Sequence, residues 1–177
     1  VDKVHFVGNS FGSLLGEYLA VAHPDRVRTL TLISPAYQMA DMKATTDRWV
    51  REMEQLGSLE FHRREVRKMF PADTDPALLE WQAVQMSDVA VDVVRSFMAF
   101  TQTVNNAELL ARIKAPTLLI VPKQSDRFPF AEAEVIRERI PDARLLSFDA
   151  PHNLMLSIPA GLPEAILQFL REHGAAR

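Results

Sequence analysis

Apolar positions recur along the chain in two rhythms, and the change between them divides it. Short unbroken apolar runs, Val4 to Val7, Val27 to Ile33, Thr117 to Val121 and Leu145 to Phe148, have the length and character of strands buried on both faces of a parallel sheet. After the first run, Phe11, Leu14, Leu15, Tyr18, Leu19 and Ala22 follow at i, i+3, i+4, i+7, i+8 and i+11, the spacing of a helix with one apolar stripe. That stripe is expected to pack on the sheet. His23-Pro24-Asp25 ends the helix, because proline cannot continue the hydrogen-bond ladder and restrains the residue before it. Strand, helix and strand within about thirty residues make a parallel crossover unit.

From Ala36 to Lys114 the rhythm is helical throughout and no run reads as a strand. Helices are predicted from about Thr45 to Leu56, Leu59 to Phe70, Pro76 to Met86 and Val89 to Val104, with breaks at Gly57-Ser58, Pro71-Ala72-Asp73 and Ser87-Asp88. Six of the seven methionines fall here, a composition that suits packing between helices or a flexible apolar pocket lining. The run from His62 to Lys68 reads as a solvated helix face whose arginines could also meet a substrate carboxylate. Two further helices, about Phe130 to Ile140 and Ala160 to Glu172, flank the last strand. The expected organisation is a core formed by residues 1–35 and 115–177, with residues 36–114 inserted as a helical cap.

Composition adds limits. With 177 residues, 47% hydrophobic and 24% charged, the chain is expected to fold around an apolar interior. A net charge of -3 without a one-sign block offers no surface for nucleic acid or an anionic membrane. No run is long enough to cross a bilayer as a helix. The absence of cysteine excludes disulfides, thiol catalysis and cysteine-based metal sites, and is compatible with a reducing cytoplasm, where the protein is expected. No metal or cofactor is expected, and the partner called for is a small, partly apolar molecule.

Candidate chemistry begins at Gly8-Asn9-Ser10-Phe11-Gly12, which joins the first strand to the first helix. A serine projecting from a sharp strand-to-helix turn needs neighbours without a Cβ, and Gly8 and Gly12 stand two residues either side of Ser10. The spelling alone is weak, since chance supplies it in roughly one chain in twenty of this length. Gly16, one helical turn further on, suits close packing of helix on sheet. A plain turn with a helix-capping serine is the competing reading of Ser10. Asp126 and His152 strengthen the nucleophile reading, because both follow the C-terminal ends of predicted parallel strands, the edge where open α/β sheets bind ligands. The order serine, acid, histidine is the one that accompanies a G-x-S-x-G turn.

On these residues the chain resembles the C-terminal part of an α/β-hydrolase-fold serine hydrolase, with Gly8 to Gly12 as nucleophile elbow, Ala115 to Asp126 as acid strand and loop, and Pro151-His152 as histidine loop. The resemblance implies an α/β fold with a partial parallel sheet of about four strands and an inserted cap. It implies Ser10 as nucleophile, His152 as base, Asp126 as the acid that orients it, and the Phe11 N–H as an oxyanion donor. His23, His62 and His173 compete for the base, and Asp142 and Asp149 for the acid; His5 is expected to be structural. Members of this family carry about a hundred residues before the elbow, which supply a second oxyanion donor and neighbouring strands. The elbow strand of this chain is therefore expected at a sheet edge, with a preceding segment or companion chain as partner and weak activity alone. Gly-Asn-Ser-Phe-Gly also resembles the elbow of hydrolases that cleave carbon-carbon bonds in ring-cleavage products, but those carry Trp after the catalytic histidine where this chain has Asn153. Carboxylic ester hydrolysis is the first expectation, with thioester, lactone or peroxyacid chemistry, a noncatalytic binding protein on the same fold, or one piece of a split protein as alternatives.

Overall fold

The computed structural model describes residues 2–35, 37, 43–125 and 130–174. In chain order the elements are β1 (Val4–Asn9), α1 (Phe11–Ala22), β2 (Val27–Ile33), α2 (Lys43–Leu56), α3 (Ser58–Arg67), α4 (Pro76–Ser87), α5 (Val91–Thr101), α6 (Ala107–Leu110), β3 (Thr117–Pro122), α7 (Phe130–Arg139), β4 (Ala143–Phe148), α8 (Leu154–Ser157) and α9 (Leu162–Glu172). They form two compact units, Val1–Tyr37 with Asn106–Arg177, and Gln38–Asn105.

The first unit is an α/β structure around a four-stranded parallel sheet in the order β1-β2-β3-β4. Residues alternate between its faces, so each strand feeds two cores. Leu30, Leu32, Leu119 and Val121 pack with Ala20 of α1, Leu110 of α6 and Ile136 of α7, while Ile33, Leu118 and Ile120 pack with Leu154 of α8 and Phe169 of α9. Both faces are thereby covered, which is why β2 and β3 read as continuous apolar runs. β1 departs from its expected burial on both faces: Val4 and Val7 are exposed, because in the described sheet β1 has a neighbour on one side only. His5 points its Nδ1 at Thr29 Oγ1, 2.8 Å away on β2, and its pKa is lowered by burial and by the nearby positive Arg28 and His173. That placement is structural.

α1 also corrects the sequence reading. Leu14 is buried, but Leu15 is 54% and Tyr18 50% exposed, and Ala22 faces solvent as well. The face that meets the sheet is Ser13, Leu14, Gly16, Glu17 and Ala20. Proximity explains the choice: a Cβ built on Gly16 would lie 2.6 Å from the Phe6 ring and 2.9 Å from Leu30 Cδ1, so only glycine allows the helix this close. Glu17 follows on the same face and is fully buried, with Asn106 Nδ2 donating to its Oε2 at 2.7 Å. Burial pushes its carboxyl up to about 7, opposed only by that hydrogen bond.

The second unit is helical. Val50 and Met53 of α2 and Phe61 of α3 form one of its core clusters, with Trp49, Val91 and Val94 packed against them, and Val66, Phe70 and Ala83 are buried as well. Gly57, at φ 81°, turns the chain between α2 and α3, and Asp75 caps α4 by accepting from Ala77 N at 2.8 Å. His62, read from the sequence as the start of a solvated helix face, is instead buried within α3, its Nδ1 2.8 Å from the Ser58 carbonyl. The arginines beside it are engaged in ion pairs, Arg63 with Glu80 at 2.6 Å and Arg64 with Glu60 at 2.9 Å. The boundary of this unit also differs from the expected 36–114. Residues 106–114 belong to the sheet unit, because Leu110 and Ile113 are buried in its core and Asn106 is tied to Glu17.

Candidate active site

Ser10 stands between β1 and α1 with φ 52° and ψ -117°, a backbone conformation that L-residues rarely adopt. The strain has local causes. Ser10 N donates to the Ile33 carbonyl at 2.8 Å, Ser13 N to the Ser10 carbonyl at 2.9 Å, and the Ser13 hydroxyl lies 2.8 Å from the Gly8 carbonyl and 3.0 Å from that of Ile33. These bonds hold the turn shut. A Cβ on Gly8 would come within 2.3 Å of the Gly12 carbonyl oxygen, so the turn requires glycine there. Gly12 does not share that role: a Cβ at this position would meet nothing within 4 Å. The Ser10 side chain makes no capping hydrogen bond to α1, which removes the competing reading of a capping serine. Asn9 is exposed and pairs in register with Ile33, and Phe11 opens α1, in the turn whose N–H groups point outward along the helix axis.

The other predicted residues lie beyond β3 and β4. Pro122 and Phe148 are in register, and the pairing continues past them: Lys123 N donates to the Phe148 carbonyl at 2.9 Å and Gln124 N to the Ala150 carbonyl at 3.1 Å. Side chains add two further rungs, Gln124 Nε2 to Asp149 Oδ1 at 2.8 Å and Ser125 Oγ to His152 Nδ1 at 2.9 Å. Half-buried His152 is followed by α8, whose Leu154 is buried under the sheet. Asp126, the expected acid, lies outside the described residues. Of its competitors, Asp149 bonds Gln124 and Asp142 sits at the opposite end of the sheet, where its carbonyl accepts from Thr117 N. The structure thus brings Ser125 and His152 together, a pairing that the sequence reading missed. β1, which leads into Ser10, and β4, which leads into the loop bearing His152, are the two edge strands of the described sheet, about 14 Å apart at the usual strand spacing. The loop beyond β4 begins to cross that distance where it bonds the loop beyond β3.

Ser10 and His152 therefore leave the sheet at the C-terminal ends of their strands, the edge at which open α/β sheets bind ligands. The family model described as the alpha/beta hydrolase fold matches residues 1–158. The chain belongs to this family. Among its relatives, a protein of Azorhizobium caulinodans named "Putative carbamate hydrolase RutD" is 28% identical over 97% of this chain and 68% of its own length. Rhodomycin D methylesterase DauP of Streptomyces sp. is 26% identical with the same two coverages. Among solved structures, the esterase EaEST of Exiguobacterium antarcticum superposes with a TM-score of 0.86 at 19% identity over 97% of this chain and 68% of that one, a likeness of fold. The chain spans about two thirds of the length of these proteins. Among the described residues no group of acidic and histidine side chains could hold a metal, and no helix is long and apolar enough to cross a membrane.

Proposed function

We propose that the protein is a serine hydrolase of small, partly apolar carboxylic esters, acting through an acyl-enzyme on Ser10. One observation carries this reading: a serine held at φ 52° on a strand-to-helix turn, with its hydroxyl unused as a cap. Strained backbone of this kind clusters at sites where it places a reacting group.

His152 Nε2 takes the Ser10 proton as the hydroxyl oxygen attacks the ester carbonyl, and the Phe11 N–H donates to the developing oxyanion. One such donor contributes roughly 3 kcal/mol in the transition state. Collapse expels the alcohol, which takes its proton from the imidazolium, and water then cleaves the acyl-enzyme by the same route. Asp126 is assigned to orient the imidazole, and the open edge of β1 to pair with a preceding segment or companion chain that completes the oxyanion hole. A carbamate is the second substrate class, favoured by the relative named for carbamate hydrolysis. It presents the same carbonyl to the same nucleophile.

The test is covalent labelling by an activated fluorophosphonate, followed by turnover of matched p-nitrophenyl esters and carbamates. Labelling is expected to vanish in Ser10→Ala and to fall by roughly 10³-fold or more in His152→Ala. Labelling of Ser10→Ala at the wild-type rate would end this reading.

A further inference from the structure

The contact between Ser125 and His152 is the last rung of a ladder. Its earlier rungs, from Lys123 N and Gln124 N to the carbonyls of Phe148 and Ala150 and from the Gln124 amide to Asp149, extend the β3-β4 pairing beyond both strands. Backbone register therefore fixes where residue 125 stands, and it stands with its hydroxyl 2.9 Å from Nδ1 of His152. In the proposed mechanism that nitrogen matters, because Nε2 can accept the Ser10 proton only when Nδ1 carries the ring hydrogen.

We propose that Ser125 is a positioning residue of this site, its hydroxyl accepting from the Nδ1–H of His152 and so holding the ring in the tautomer that can act as base. The inference rests on the reading of His152 as base and adds to it a group that the motif does not contain. A hydroxyl differs from a carboxylate in one respect that decides the consequence. A carboxylate only accepts, whereas a hydroxyl both accepts and donates. When Ser125 donates to a bare Nδ1, the hydrogen sits on Nε2 and the ring cannot take the Ser10 proton. Ser125 thus fits either neutral tautomer, and the carboxylate assigned to Asp126, which only accepts, shares the Nδ1–H with it and weights the balance towards the active one. In the imidazolium both nitrogens are donors, and the bond from Nδ1–H to the Ser125 oxygen favours the charged form. Loss of that oxygen lowers the pH at which the base loses its proton.

The experiment follows the rate of Ser10 phosphonylation by the fluorophosphonate, in which Oγ bonds to phosphorus, fluoride leaves and the serine proton passes to His152. It is paired with 15N spectra of the His152 ring. In Ser125→Ala the rate is expected to fall roughly fivefold, the value of one ordinary hydrogen bond. The acid limb of its pH profile is expected to move down by about half a unit, and the two ring-nitrogen shifts to change in ratio. Ser125→Thr, which restores the hydroxyl, is expected to return all three to wild-type values. Unchanged ring signals and an unchanged acid limb in Ser125→Ala would overturn the proposal, even if the rate fell, since a loop that merely loosened would slow labelling without changing the tautomer. The same holds if Ser125→Thr fails to rescue. Loss of the underlying mechanism is separately visible, because His152→Ala would then label at the wild-type rate, and the positioning role would fall with it.

Discussion

The two faces of α1 depart from what hydropathy assigns to them, although Leu14 and Leu19 of the apolar stripe do meet the core. The face on the sheet is small and polar, Ser13, Gly16, Glu17 and Ala20 around a single large residue, Leu14, while Leu15 and Tyr18 stand in solvent. The difference shows that distance, rather than hydrophobicity, selects the contact face of this helix. α1 must start at the strained turn that carries Ser10, and from that start its axis passes so near β1 and β2 that at position 16 only glycine fits against Phe6 and Leu30. The buried polar groups are tolerated because each makes at least one hydrogen bond where it lies, although Glu17 Oε1 is left without one. Ser13 ties two carbonyls together, and Glu17 receives the Asn106 amide.

Three substitutions break or sharpen this comparison. Gly16→Leu makes the buried face as apolar as hydropathy would want it, and is expected to destabilise by about 3 kcal/mol or more, because its first carbon already overlaps Phe6 and Leu30. Urea denaturation measures this, and a variant as stable as wild type would show that α1 can stand further off. Glu17→Gln tests the polar core through pH. A folded-state carboxyl raised from 4.5 to about 7 gives stability that is complete below pH 4.5 and lost as pH rises through about 7. The slope approaches about 1.4 kcal/mol per unit, for a total near 3 kcal/mol. The difference in stability between wild type and Glu17→Gln is therefore expected to tilt between pH 4.5 and 7 and to be level above that window. A difference independent of pH would place the Glu17 carboxyl in water. The smallest effect belongs to the exposed face: Leu15→Glu with Tyr18→Ser is expected to change stability by less than about 0.5 kcal/mol, as exposed sites do. A loss of several kcal/mol, read in the same urea titration, would mean that these side chains are covered in solution.

The strands, their order of appearance and the helices of the second unit were legible because each is a local signal, an unbroken apolar run or a helical repeat bounded by glycine and proline. Ser10 was legible for the same reason. The orientation of α1 was not, since periodicity marks an apolar stripe without knowing how near the neighbouring strand comes. Glu17 could not be read as buried, because its partner Asn106 lies 89 residues away. Ser125 escaped notice for a related reason. A loop serine has no spacing signature, and its meeting with His152, 27 residues later, depends on the register of β3 with β4.

One carbonyl in this structure has a wider consequence. The oxygen of Ile33 receives both the backbone of Ser10 and the hydroxyl of Ser13, and Ile33 is the last residue of β2, just before the chain departs into its helical unit. Ser10 is thus surveyed from the neighbouring strand, as a benchmark fixes a height, and owes its position to a residue outside its own motif. Evolution can rewrite the helices that follow without disturbing that reference point. A change that shifts the end of β2 by a fraction of an ångström would be felt at once by Ser10.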